Sequence, residues 1–198
     1  QETAARLTEL RQETAKILEN QILNELIQLN MPHIRLSIQI QQRSTPGPQG
    51  MDQAEIWFSA NPGEELRPLA RTASGGELSR VVLAIKTALA DTYQVPTLIF
   101  DEIDVGVGGT ALSAMARKLS QLAESHQVIL VTHAPQVAAY ARTHYLIQKE
   151  VREGQTLTRV RLLEGEERVA ELARMLSGES ITDITLQHAR EMIAHAAN

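Results

Sequence analysis

Along the first thirty residues, apolar side chains recur at three- and four-residue steps: Leu7, Leu10, Ile17, Leu18, Ile22, Leu26 and Leu29 in an otherwise polar stretch. This spacing puts them on one side of a 3.6-residue spiral and predicts a single amphipathic helix that stops at Pro32. Thr14, Gln21 and Asn24 interrupt the heptad-like slots, so a surface helix and the end of a coiled coil both stay open on pattern alone. The period then changes to two. Ile34, Leu36, Ile38 and Ile40 alternate with Arg35, Ser37, Gln39 and Gln41, the mark of a half-buried strand. Pro46, Gly47 and Pro48 predict a loop over Ser44 to Gly50. Ala54 to Ala60, around Ile56, Trp57 and Phe58, predicts a second strand antiparallel to the first.

Helical spacing returns after Asn61-Pro62-Gly63, with Leu78, Val81, Val82, Ile85 and Leu89 forming the apolar face of a helix over about Gly75 to Tyr93. Two short, continuous apolar runs follow, Thr97 to Phe100 and Val128 to Val131, with helical spacing over Thr110 to Ser125 between them. That is the pattern of a β-α-β unit. Strands apolar on both faces belong in a covered parallel sheet, and such sheets place ligands at the C-terminal ends of their strands. A short helix beyond Pro135 is expected next. Two strands, about Tyr145 to Lys149 and Leu157 to Leu163, are expected to turn at Glu153-Gly154. Val169, Leu172, Ala173 and Leu176 predict a helix capped by Gly178, and Ile184, Leu186, Ala189, Met192 and Ile193 predict the last one.

Composition narrows the classes. At 198 residues, 43% hydrophobic and 22% charged, the chain suits one globular domain with an appendage, and no apolar run reaches membrane-spanning length. A soluble protein without a membrane partner is expected. The absence of cysteine excludes disulfides and thiolate metal sites and agrees with a reducing cytoplasm. The chain opens on Gln1 with no visible secretory signal. A net charge of -5 argues against attraction of nucleic acid by a general positive field, so any such contact must be local. Aromatic residues at 3% argue against stacking platforms for single strands. Arg159 and Arg161 share one strand face, but paired surface arginines are usually just solvated.

Three segments carry candidate chemistry. Thr72-Ala73-Ser74-Gly75-Gly76-Glu77 stands at a helix start, where two glycines admit close backbone approach and free N–H groups favour a phosphate. Ser74 and Glu77 also have the spacing of a capping box, which needs no ligand. Asp101 and Glu102 end an apolar strand; an aspartate there could hold a magnesium ion and the glutamate could deprotonate an attacking water, or the pair could be a solvated loop start. His133 ends the neighbouring apolar run and could donate a hydrogen bond to a phosphate oxygen. A lone histidine is more often packed or solvated, and the other five show no metal-ligand spacing.

In this order, the three segments resemble an ABC-type ATPase. Ser74-Gly75-Gly76-Glu77 is similar to the ABC signature, Asp101-Glu102 to the Walker B pair, Asp104 with Val105-Gly106 to the D-loop, and His133 to the switch histidine. Asp101-Glu102-Ile103-Asp104 followed by Val105-Gly106-Val107-Gly108-Gly109, the switch segment Val131 to Ala138, and the tail Glu167 to Gly178 resemble the RecN family of SMC-like DNA-repair proteins. Ala73 stands where transporters usually carry leucine. The resemblance is specific from about Asn61 onward and a matter of layout before it.

The resemblance implies an α/β fold, the C-terminal lobe of an ABC/SMC-type P-loop ATPase head, with a mostly parallel sheet flanked by helices. Residues 1–30 would be the end of a coiled-coil arm and 31–198 the lobe. It implies ATP and Mg²⁺ as cofactors, Asp101 as metal ligand, Glu102 and His133 as catalytic residues, and Ser74, Gly75, Gly76, Glu77 and Asp104 as nucleotide contacts. None of the eleven glycines precedes a lysine, so the Walker A cradle is missing. An N-terminal lobe of the same protein would supply it, a second head would complete the site, and DNA would be the substrate handled in double-strand break repair at the nucleoid. Another SMC-like or ABC ATPase, or a non-enzymatic dimerisation and tethering module, is the alternative.

Overall fold

The structure, a computed structural model, describes residues 2–71, 75–93, 95–101, 103–152 and 155–196. The backbone gathers into two compact units: residues up to Pro96 together with Val105–Ala114, and Thr97–Asp104 together with Met115 onward.

In the first unit, α1 (Glu2–Gln28) packs on the antiparallel ribbon of β1 (Arg35–Gly47) and β2 (Gly50–Ser59) and on α2 (Gly75–Tyr93). The predicted alternation holds in register: Leu36 faces Phe58, Ile38 faces Ile56 and Ile40 faces Ala54. Ile22 and Leu26 of the helix, and Leu29 just past its end, are fully buried, each contributing about 1.5–3 kcal/mol by leaving water. Polar contacts fix the docking. Asp52, whose side chain is 2% exposed, accepts from Arg11 at 2.9 Å and from Thr8 at 2.8 Å. The Arg11 guanidinium holds the Asp52 carboxyl below the usual carboxylate range. Glu19 accepts from the Ile38 amide at 2.6 Å.

Two boundaries differ from expectation. The helix stops before Pro32, because Asn30 takes a left-handed φ of 61°. The Met31 amide then reaches the Leu26 carbonyl at 3.0 Å and the Asn30 amide the Ile27 carbonyl at 3.1 Å, a Schellman ending that uses asparagine. The loop predicted over Ser44 to Gly50 is mostly strand. β1 absorbs Pro46 through a register irregularity between Gln42 and Gly47, leaving a tight turn closed by Gly47 against Gly50, and proline is tolerated at such irregular edges. β3 (Arg67–Pro68) adds a short third strand beside β2, followed by a single 3-10 turn, Leu69–Arg71.

In the second unit, β4 (Thr97–Asp101) and β5 (Gln127–Val131) pair in parallel. The connecting helix α3 (Gly109–Leu122) gives this unit Met115, Ala116, Leu119 and Leu122, all buried. The two strands have unlike faces. Leu98 and Phe100 are buried, whereas Ile99, Ile129 and Val131 on the opposite face are exposed. The sequence predicts cover on both sides; within this unit only one side has it.

α4 (Pro135–Ala138) follows, then the antiparallel pair β6 (His144–Arg152) and β7 (Gln155–Leu163), α5 (Gly165–Ser177) and α6 (Asp183–Ala196). The expected turn at Glu153-Gly154 lies outside the described residues. Val169, Leu172 and Ala173 of α5 close on Ala138, Ala139 and Ala189. Gly178 ends α5 with φ 70°, its amide on the Arg174 carbonyl at 2.8 Å. Tyr145, Ile147, Val160 and Leu162 are cross-strand neighbours and all exposed. Among the described residues no helix is long and apolar enough to cross a membrane.

Candidate functional site

Asp101 is the last residue of β4, exposed, and in register with Val131 of β5. Two residues beyond Val131 the chain reaches His133, whose side chain is 72% exposed. Because the strands are parallel and adjacent, carboxylate and imidazole leave the same, C-terminal edge, where open α/β sheets bind ligands. Asp101 offers hard oxygen donors suited to Mg²⁺, which takes few protein ligands and completes its octahedron with phosphate oxygens and water. Glu102 lies outside the described residues.

Asp104 sits differently from Asp101. Its side chain is fully buried, and Oδ2 accepts from Thr132 Oγ1, from the His133 amide at 3.3 Å and from the Ala134 amide at 3.2 Å. Nδ1 of His133 lies 3.5 Å from the same oxygen. A buried carboxylate is costly unless donors surround it; here the donors are the residues that follow β5. The loop after β4 therefore ties down the loop after β5, and the histidine ring starts from a fixed backbone. Oδ1 of Asp104 is buried with no hydrogen-bond partner among the described residues.

The glycine-led segment belongs to the first unit. α2 begins at Gly75, with Glu77 in its first turn and half-buried. The helix start passes against the turn at Gly106, which has φ 71°. A Cβ on Gly76 would lie 2.9 Å from the Gly106 carbonyl oxygen, so glycine is required there by close approach of two backbones. Thr72, Ala73 and Ser74 lie outside the described residues, and with them the Ser74 to Glu77 capping box.

Sequence reasoning missed the part played by Thr132 and by the Gly76 to Gly106 approach. It also missed Arg168, which is half-buried and donates from one nitrogen to the carbonyls of Ala139 at 2.8 Å and Ala141 at 2.7 Å, holding the segment after α4. A hydroxyl next to His133 was a usable signal for the first; no spacing rule reveals the other two. Arg159 and Arg161 form ion pairs with Glu150 at 3.2 Å and Glu167 at 2.6 Å, in keeping with a solvated face.

No family model matches the chain. Curated relatives do. It is 48% identical over 185 residues to the DNA repair protein RecN of Deinococcus radiodurans, covering 93% of this chain and 32% of that protein. RecN of Streptomyces coelicolor is 43% identical over 98% of this chain and 36% of its own length, and RecN of Bacillus subtilis 39% over 98% and 36%. The chain thus spans about a third of the length of the curated relatives it matches. Among solved structures, an Smc head domain with an extended coiled coil from Pyrococcus furiosus aligns with TM-score 0.60 at 19% identity, over 89% of this chain and 42% of that one. A chain from SMC ATPases described for ATP-driven dimerization and DNA-stimulated activation aligns with TM-score 0.59 at 18% identity, over 87% and 99%. At those identities the likeness is one of fold.

Proposed function

This chain is a RecN-type segment with the fold of an SMC head, and from that premise we propose that it is the C-terminal lobe of an ATPase that acts in DNA double-strand break repair at the nucleoid. The observation that carries the reading is the exposed face of β4–β5. Parallel strands are normally covered on both sides, yet Ile99, Ile129 and Val131 are 59%, 46% and 45% exposed, beside the edge that bears Asp101 and His133. An N-terminal lobe of the same protein covers that face and brings the phosphate cradle, for which this chain has no glycine-lysine sequence. The short share of the relatives' length leaves room for such a lobe.

In this reading Asp101 would hold Mg²⁺, Glu102 would take the proton of the attacking water, and His133, oriented through Asp104 and Thr132, would donate to the γ-phosphate. Bound Mg²⁺ would neutralise charge developing on the transferred phosphoryl group. Ser74, Gly75 and Gly76 would contact the nucleotide of a second head, with α2 starting at Gly75, so ATP would join two heads and its hydrolysis part them. Residues 1–30 form the root of a coiled-coil arm and 31–198 the lobe. Leu10 and Ile17, seven residues apart and 44% and 61% exposed, provide part of a seam for the returning helix.

The test uses the complete protein. Glu102→Gln should lower ATP turnover by at least about a hundredfold while nucleotide-bound dimers accumulate. Turnover unchanged by Glu102→Gln would refute the catalytic assignment, and a wild-type protein that pairs without hydrolysing ATP would make the chain a tethering module.

A further inference from the structure

Outside the nucleotide edge, the second unit holds a cleft of about 600 Å³ where α3, the segment after α4, α5 and the end of α6 meet. Its charged lining is Arg117, Arg142, Arg168, His195 and Glu124. Arg6, Arg11, Arg159, Arg161, Arg174 and Arg190 each have a carboxylate partner, whereas Arg117 and Arg142 are exposed and make no ion pair among the described residues. Arg168 carries its charge into the wall of the cleft with one nitrogen engaged by carbonyls and Nε buried without a hydrogen-bond partner among the described residues. Ser120 and Tyr140 add hydroxyl donors. Among the described lining residues the one carboxylate is that of Glu124.

We infer that this cleft binds a phosphate group, supplied by a nucleic-acid backbone or by a small phosphate compound. A guanidinium presents a planar fork of donors that matches phosphate oxygens. Arg117 and Arg142, both lining the cleft and without an ion pair among the described residues, provide two such forks, and the volume suits a ligand of about nucleotide size. In a chain of net charge -5, a concentrated local cluster is the arrangement by which a polyanion contact can arise without a general positive field. The inference stands apart from the ATPase reading, because the cleft shares none of Asp101, Glu102 or His133.

The experiment measures binding to the complete protein without ATP or Mg²⁺. One arm follows a fluorescein-labelled single- or double-stranded oligonucleotide by anisotropy, the other inorganic pyrophosphate by calorimetry. Arg117→Gln with Arg142→Gln, both at exposed positions, should weaken binding about tenfold and reduce the log-log salt slope by about one to two. Glu124→Gln should tighten it a few-fold, and Arg190→Gln, an exposed α6 arginine outside the cleft, should leave it unchanged. Loss confined to the oligonucleotide identifies a backbone phosphate, and loss confined to pyrophosphate identifies a small ligand; either supports the site. Equal effects of the double variant and Arg190→Gln, no change on the double variant in either arm, or weaker binding on Glu124→Gln overturns it. ATP turnover in the same variants should persist, which separates failure here from failure of the nucleotide assignment.

Discussion

The α1 ribbon and the β4–β5 pair are both sheet edges with apolar faces, and they meet opposite fates within this chain. The ribbon is closed by its own sequence: α1 covers it, Asp52 accepts from Arg11 and Thr8, and Glu19 takes the Ile38 amide. The parallel pair buries Leu98 and Phe100 on one side and leaves Ile99, Ile129 and Val131 exposed on the other. A face that stays apolar without cover in a water-exposed chain marks surface meant for another body. Asp101 and His133 lie at the C-terminal edge of that half-covered pair, and in the proposed reading their chemistry waits on a partner lobe while the ribbon needs none.

The largest effect should come from charging the exposed face. Ile129→Asp in the complete protein should abolish ATP turnover, by about a hundredfold or more, since lobe docking would bury an unpaired carboxylate; the matching change at Gln53 on the ribbon should do little. Next, Arg168→Ala should cost about 2–4 kcal/mol in a denaturant melt, because carbonyls after α4 lose a charged donor. Gly76→Ala should cost about 1–3 kcal/mol, as its Cβ would meet the Gly106 backbone. If alanine at 76 proves neutral, the two backbones do not approach as closely as described.

The smallest effects are titrations, and they separate the regions by pH. His144 is held below its ordinary value of 6.5, first by burial and then by the Arg168 charge. The unfolded chain therefore binds this proton more readily, so stability should fall as pH drops below the unfolded value toward the folded one. His144→Gln should flatten that part of the curve. Asp52 has its carboxyl depressed by Arg11; its contribution should be present above the unfolded carboxylate value and vanish as pH falls through the folded one. Arg11→Gln should shrink that acid-side dependence, since Arg11 is the largest cause and the Thr8 hydrogen bond remains.

Periodicity carried most of the fold into view. Alternation from Ile34 to Ile40, the two all-apolar runs and the helical stripes each reflect a local rule about which face is buried. What escaped depends on geometry between distant residues or on unusual dihedrals. Asn30 ends α1 by adopting a left-handed turn that any of several nearby polar residues could have made, and β1 runs through Pro46 because an irregular register spares it a ladder hydrogen bond. At the site, Asp101 at the end of β4 and His133 two residues past β5 were legible from the apolar runs before them. Asp104 was legible as a position but not as the buried acceptor for Thr132, His133 and Ala134, since burial depends on how two loops meet. Arg117, Arg142 and Arg168 converge from separate elements and leave no linear trace.

Hydrogen exchange compares the two regions directly. Measured on the 198-residue chain alone and on the complete protein, amides of Val128–Val131 should become strongly protected in the complete protein, as the open side of the parallel pair gains a neighbouring strand and cover, while amides of Leu36–Ile40 should exchange alike in both. Equal protection of the β5 amides in the two samples would contradict the claim that another lobe completes this sheet.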